Sequence, residues 1–122
     1  MKAVIFFGHG ARDIRWREPF DRLVQIWQEK HPDCLAKVAF LELMSPSLPE
    51  CVDSFAQQGV TDVCVIPVFF GQGGHLRKDL PVILDECRTK FPQINLSTSP
   101  AVGESESVLQ SIIQFAKRHI PS

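Results

Sequence analysis

Residues 1–13 read Met1-Lys2-Ala3-Val4-Ile5-Phe6-Phe7-Gly8-His9-Gly10-Ala11-Arg12-Asp13, and the switch at Gly8 decides how the rest is read. An unbroken apolar run from Ala3 to Phe7 matches a strand covered on both faces; a strand with a wet face alternates instead. A lysine before an apolar run has the look of a secretory leader. The run is too short for an h-region, however, and charges follow at once, so Lys2 to Phe7 is taken as the first buried strand.

Working outward, three more segments read as strands: Leu35 to Leu41, Asp62 to Pro67 and Ile94 to Thr98. The third is as continuously apolar as the first. The second is less pure and is expected nearer an edge. Between the strands lie segments of helical spacing: Phe20, Leu23, Val24 and Trp27; Leu48, Val52 and Phe55; Leu80, Ile83, Leu84, Cys87 and Phe91; and Val108, Leu109, Ile112, Ile113 and Ala116. Each gives one apolar stripe wide enough to dock on a sheet. Ser47 and Pro49 can open the second helix and Gly59 can close it, while His31-Pro32 and Phe91-Pro92 end the first and third.

The order is βαβαβαβα, which calls for right-handed crossovers and a mostly parallel sheet with helices on both faces. One α/β domain over residues 1–122, with a flavodoxin-like strand order, is expected. No repeat, low-complexity stretch or linker divides it.

Composition narrows the function. The formal net charge is −1 and the two signs are mixed along the chain, with no basic run of the kind that binds DNA or RNA. No segment approaches the roughly 20 apolar residues of a membrane span, so a cytoplasmic location is expected. The four cysteines, Cys34, Cys51, Cys64 and Cys87, form no C-x-x-C pair and are read as plain thiols, without disulfides or a zinc knuckle.

In an open parallel sheet, ligands bind beyond the carboxyl ends of the strands, where strand order reverses. Gly8-His9-Gly10 follows the first strand, Glu42-Leu43-Met44-Ser45-Pro46 the second, and Val68 to Asp79, containing Gly71, Gly73, Gly74 and His75, the third. His9, Glu42 and His75 therefore fall at one end of the sheet. Two imidazoles and a carboxylate suit a borderline divalent ion, and three protein ligands leave positions open, as a reactive site requires. Gly10 and Gly74, beside the two histidines, permit unusual backbone angles and close approach of a large flat ligand.

Glycine loops can also cradle phosphate, but neither G-x-G-x-x-G nor the Walker pattern is present. Basic residues gather nearby: Arg12, Arg15 and Arg17 after the first loop, Arg77 and Lys78 after His75. They are read either as a solvated face or as a clamp for a small polyanion.

Three stretches together resemble one family. Phe7-Gly8-His9-Gly10-Ala11-Arg12-Asp13 looks like the opening motif of the class II tetrapyrrole chelatases. The stretch from Pro67 to Pro81, a Pro-apolar loop reaching Gly74-His75 and then Asp79-Leu80-Pro81, is similar to their second motif. Glu42-Leu43-Met44-Ser45-Pro46-Ser47-Leu48 resembles the family's Glu followed by Pro-Ser-Leu. Length and spacing match the short, single-domain sirohydrochlorin cobaltochelatases.

The resemblance implies a lyase that inserts a divalent metal ion into sirohydrochlorin in cobalamin or sirohaem-type biosynthesis. Co²⁺ is the expected ion, with Ni²⁺ or Fe²⁺ as alternatives. It makes His9 and His75 the metal-binding and proton-accepting pair and Glu42 a third ligand. Arg12 and Lys78, with Gly10 and Gly74, become candidates for holding the macrocycle, whose face Leu43, Phe69 and Phe70 can meet unless they belong to the core. It further implies a homodimer, no ATP and no cofactor beyond the substrate metal. Ala11 departs from the family's frequent Ser, so a hydroxyl contact is missing there, and no His-rich stretch is present. The rival reading is a non-catalytic metal or tetrapyrrole carrier on the same site. A histidine phosphatase is disfavoured, because those enzymes place Arg before the histidine and here Gly8 stands there.

Overall fold

The computed structural model describes residues 1–71 and 73–121, with His75 described in its main chain only. Its centre is β1 (Lys2–Gly8), flanked by β2 (Cys34–Phe40) and β3 (Asp62–Pro67), with β4 (Asn95–Thr98) beyond β3. The sheet is all parallel in the order β2-β1-β3-β4. The strand order expected from the pattern is therefore present, and the less pure second strand is indeed an edge. β1 is buried from Ala3 onward because it alone has neighbours on both sides and packing on both faces.

Four helices follow the strands: α1 (Glu18–Lys30), α2 (Leu48–Gln57), α3 (Gly74–Lys90) and α4 (Glu106–Lys117). The start of α2 is specified locally. Ser47 accepts from the Glu50 N–H while Glu50 accepts from the Ser47 N–H, a complete capping box, and Gly59 (φ +80°) follows the helix end.

One face of the sheet packs on α2 and α3. Ile5, Phe7, Val63 and Val65 meet Leu48, Val52, Phe55, Leu80 and Leu84 there, all buried. On the other face α1 covers β1 and β2 through Phe20, Val24 and Trp27, against Val4, Phe6, Ala36 and Val38. The Trp27 indole N–H donates to the Cys34 carbonyl at 3.0 Å and ties α1 to the β2 start.

Two expectations change. The glycine-rich stretch that the pattern reads as loop up to Asp79 becomes helical at Gly74, so α3 begins more than a turn before Leu80 and runs across Pro81. Gly73, with extended backbone (φ −70°, ψ 169°), serves as its N-cap, a role glycine fills well. The second change concerns α4. Its apolar stripe is real, yet no residue of α4 is buried and none belongs to either apolar cluster. The helix leaves its own sheet instead of docking on it. Cys51 and Cys87 lie in the core, whereas Cys34 and Cys64 are only half-buried; all four thiols are free, as the spacing predicts.

Candidate active site

His9 and Glu42 come together because the β1–β2 ladder continues past the strand ends. The Leu41 N–H donates to the Gly8 carbonyl at 2.9 Å and the Glu42 N–H to the His9 carbonyl at 3.1 Å. Their side chains then meet, with His9 Nε2 2.8 Å from Glu42 Oε1. Gly10 (φ +97°) makes this approach possible: a Cβ there would stand 1.8 Å from the Glu42 carbonyl oxygen. Gly8 is required for another reason, since a Cβ would sit 2.5 Å from the Phe20 ring.

Both side chains remain open to solvent, His9 at 53% and Glu42 at 56% exposure, so an ion or a large planar ligand can reach them. A carboxylate on one imidazole nitrogen fixes the ring's orientation and tautomer. With Nε2–H donating to Glu42, Nδ1 keeps its lone pair for a metal ion or a proton. Phe69 supports the ring from the third strand's side, edge-on to His9 at 6.2 Å between centroids and packed on Phe7 at 5.8 Å.

His75 occupies the second position of α3, which starts from the loop after β3, so its main chain lies at the same carboxyl edge of the sheet as His9 and Glu42. The expectation that its imidazole completes the ligand set lies outside the described residues. Among those residues, no group of three His, Cys, Asp or Glu side chains converges.

The remaining candidates divide. Gly10 is buried against Glu42, as described, and Gly74 is exposed at the first position of α3. Arg12 and Lys78 are exposed and form no ion pair among the described residues. Arg15 and Arg17 are engaged elsewhere. Arg15 pairs with Asp13 at 2.7 Å, and its guanidinium, followed by its main-chain N–H, holds the Asp13 carboxyl below its ordinary value. Arg17 bonds Asp21 and the Ser45 carbonyl and stacks over Phe40 at 5.0 Å.

Leu43 and Phe70 are not core residues: they are 59% and 67% exposed, and Leu43 has φ +67°, a strained backbone for a branched side chain. Phe69 is half-buried and packs on the core and on His9. The pairing of Gly10 with the Glu42 carbonyl and of Phe69 with His9 gives no sequence signal, because each depends on how neighbouring loops register.

The model of the CbiX family matches residues 3–119. The chain belongs to that family. It is 31% identical over 112 residues to the sirohydrochlorin cobaltochelatase of Priestia megaterium, covering 90% of this chain and 36% of that protein. It is 33% identical over 81 residues to the sirohydrochlorin cobaltochelatase of Methanosarcina acetivorans, covering 66% and 62%. The chain thus spans between about a third and two thirds of the length of these relatives. The solved CbiX protein from Marinobacter aquaeolei VT8 superposes with a TM-score of 0.85 at 29% identity, covering 97% of this chain and 96% of that one. Family membership and the four-stranded parallel fold agree with the reading of the three motifs.

Proposed function

We propose that this family member inserts a divalent metal ion into sirohydrochlorin, with Co²⁺ as the preferred ion and Ni²⁺ or Fe²⁺ as alternatives. The observation that carries the reading is the solvent-open His9–Glu42 pair at the carboxyl edge of the sheet. The relatives named above, sirohydrochlorin cobaltochelatases of 31% and 33% identity, point to the same chemistry.

Insertion must strip water from the ion and remove two pyrrole N–H protons. Imidazole titrates near neutrality, so it can hold an ion without trapping it and can accept a proton. In this reading His9 and His75 are the ligating and proton-accepting pair. Glu42 orients His9 and balances charge on the incoming ion. Arg12 and Lys78 meet carboxylates on the macrocycle edge, and the exposed Leu43 and Phe70 meet its apolar face. Gly74, exposed and with open space where a Cβ would stand, lets the ring approach the main chain, while Gly10 lets the His9 and Glu42 loops close on each other. The metal is substrate, and neither ATP nor a resident cofactor takes part. The working form is a homodimer in the cytoplasm; no helix among the described residues is long and apolar enough to cross a membrane.

The test is an anaerobic absorbance assay with sirohydrochlorin and Co²⁺, Ni²⁺ or Fe²⁺ in parallel. Conversion well above the spontaneous rate, lost in His75→Ala with the fold intact, is expected. Tight binding without acceleration would instead make the chain a carrier.

A further inference from the structure

Glu42 belongs to a loop that few bonds hold. Residues 41–46 leave the end of β2 and turn back toward α2, closed at the base where the Phe40 N–H donates to the Pro46 carbonyl at 2.9 Å. β1 takes up the Leu41 and Glu42 N–H groups, and beyond them the support thins. Among the described residues, Leu43, Met44 and Ser45 make no main-chain-to-main-chain hydrogen bond. Leu43 is moreover held at φ +67°, a conformation that persists only where its surroundings impose it. Met44 contributes packing, against the apolar cluster on the α1 side. The other hold on this stretch is a side chain from the loop after β1.

That side chain is Arg17, which ends a short 3-10 turn (Ile14–Arg17) just before α1. Its Nε and Nη2 donate to the two Asp21 carboxylate oxygens, each at 3.2 Å. With the fork fixed in this way, Nη1 is aimed at the Ser45 carbonyl, 3.1 Å away. The guanidinium also lies over the ring of Phe40, the residue whose N–H closes the loop. The Arg17 side chain is only 24% exposed, against 80% for Arg15 two positions earlier. Ordering so long a side chain costs rotamer freedom, and a surface ion pair alone returns little of it. Arg17 is therefore spent on the loop and is not free to meet a substrate carboxylate.

We propose that Arg17 is a positioning residue for the His9–Glu42 pair. It pins the loop after β2 at Ser45 and so keeps the Glu42 carboxylate at the carboxyl edge of the sheet. It acts through the loop and needs no contact with ion or macrocycle. Only a planar, forked cation serves, because a lysine ammonium cannot span both Asp21 oxygens, the Ser45 carbonyl and the Phe40 face together. The inference rests on the reading of Glu42 as a metal ligand, yet the pin can be measured with no metal present.

Hydrogen exchange read amide by amide tests the pin, and calorimetric titration with Co²⁺ alone tests its use. Arg17→Met keeps the stem over Phe40 and loses the donors, and circular dichroism checks that the fold survives. It is expected to speed exchange at the Glu42 N–H roughly 10-fold or more while amides of β1 and α2 stay as protected as before. Arg17→Lys should do the same, since it keeps the charge and loses the fork. Arg17→Met should also weaken Co²⁺ binding by about 10-fold, and by nothing further in a Glu42→Ala background. Unchanged exchange at Glu42, faster exchange spread evenly over the sheet, a parent-like Arg17→Lys, or an equal loss of cobalt affinity in both backgrounds would each overturn the assignment. Cobalt binding that Glu42→Ala leaves intact would instead remove Glu42 from the ligand set, and the exchange result alone would then judge the pin.

Discussion

His9 Nε2 and Glu42 Oε1 stand 2.8 Å apart although 33 positions separate the residues in sequence. The contact follows from topology: β1 and β2 are adjacent and parallel, so the residues just past their ends are neighbours at the carboxyl edge. Both side chains are more than half exposed, so the pair contributes little to folding, roughly 0.2–1 kcal/mol at most. Its value lies in orienting the imidazole.

Glu42→Ala should therefore leave the unfolding free energy within about 1 kcal/mol of the parent while lowering metal affinity or insertion rate by about 10–100-fold. Urea unfolding and the insertion assay on the same preparation separate the two effects. A variant with normal insertion would show that His9 needs no partner.

Gly10→Ala should do the reverse and damage the fold as well as the site. The new Cβ would meet the Glu42 carbonyl oxygen at a backbone angle of +97°, and strain plus collision should cost about 2–3 kcal/mol or more. Urea unfolding measures it, and a loss under about 0.5 kcal/mol would mean that the two loops can separate freely.

Ser47→Ala removes one half of the capping box at α2. The expected cost is about 1 kcal/mol, a fall of about 3–5 °C in melting temperature for a chain of this size. Glu50→Ala should cost less, since Ser47 retains its own bond to the helix N–H.

Much of this was legible in the residues and some was not, for physical reasons. Continuous apolar runs identified β1 and β3, and the place of His9 and Glu42 followed from the rule that parallel sheets work at their carboxyl edge. The start of α3 was hidden because Gly71, Gly73, Gly74 and Pro81 all carry loop chemistry, while a glycine N-cap and a proline tolerated within a helix carry none. For α4, periodicity showed that a face wants burial but not which chain supplies the cover.

The buried thiols make stability fall at high pH. Burial pushes the Cys51 thiol from 9.0 up to about 12, opposed only weakly by Lys37, and burial, then Glu86, raises the Cys87 thiol too. Below pH 9 folded and unfolded chains both hold the Cys51 proton, so this contribution is complete. Above it the unfolded chain releases a proton that the folded chain keeps, and stability falls by about 1.4 kcal/mol per pH unit from this group. Urea unfolding between about pH 9 and 11 should show a shallower decline in Cys51→Ala. In the native protein, the buried Cys51 and Cys87 should resist a thiol reagent.

The most direct test of the central claim is the rate of cobalt insertion into sirohydrochlorin by His9→Ala, measured anaerobically beside the parent protein. The account predicts a fall of about 100-fold or more, to near the spontaneous rate, with melting temperature unchanged because His9 is half exposed. A His9→Ala protein that inserts cobalt as fast as its parent would contradict it and place the chemistry elsewhere on the sheet edge.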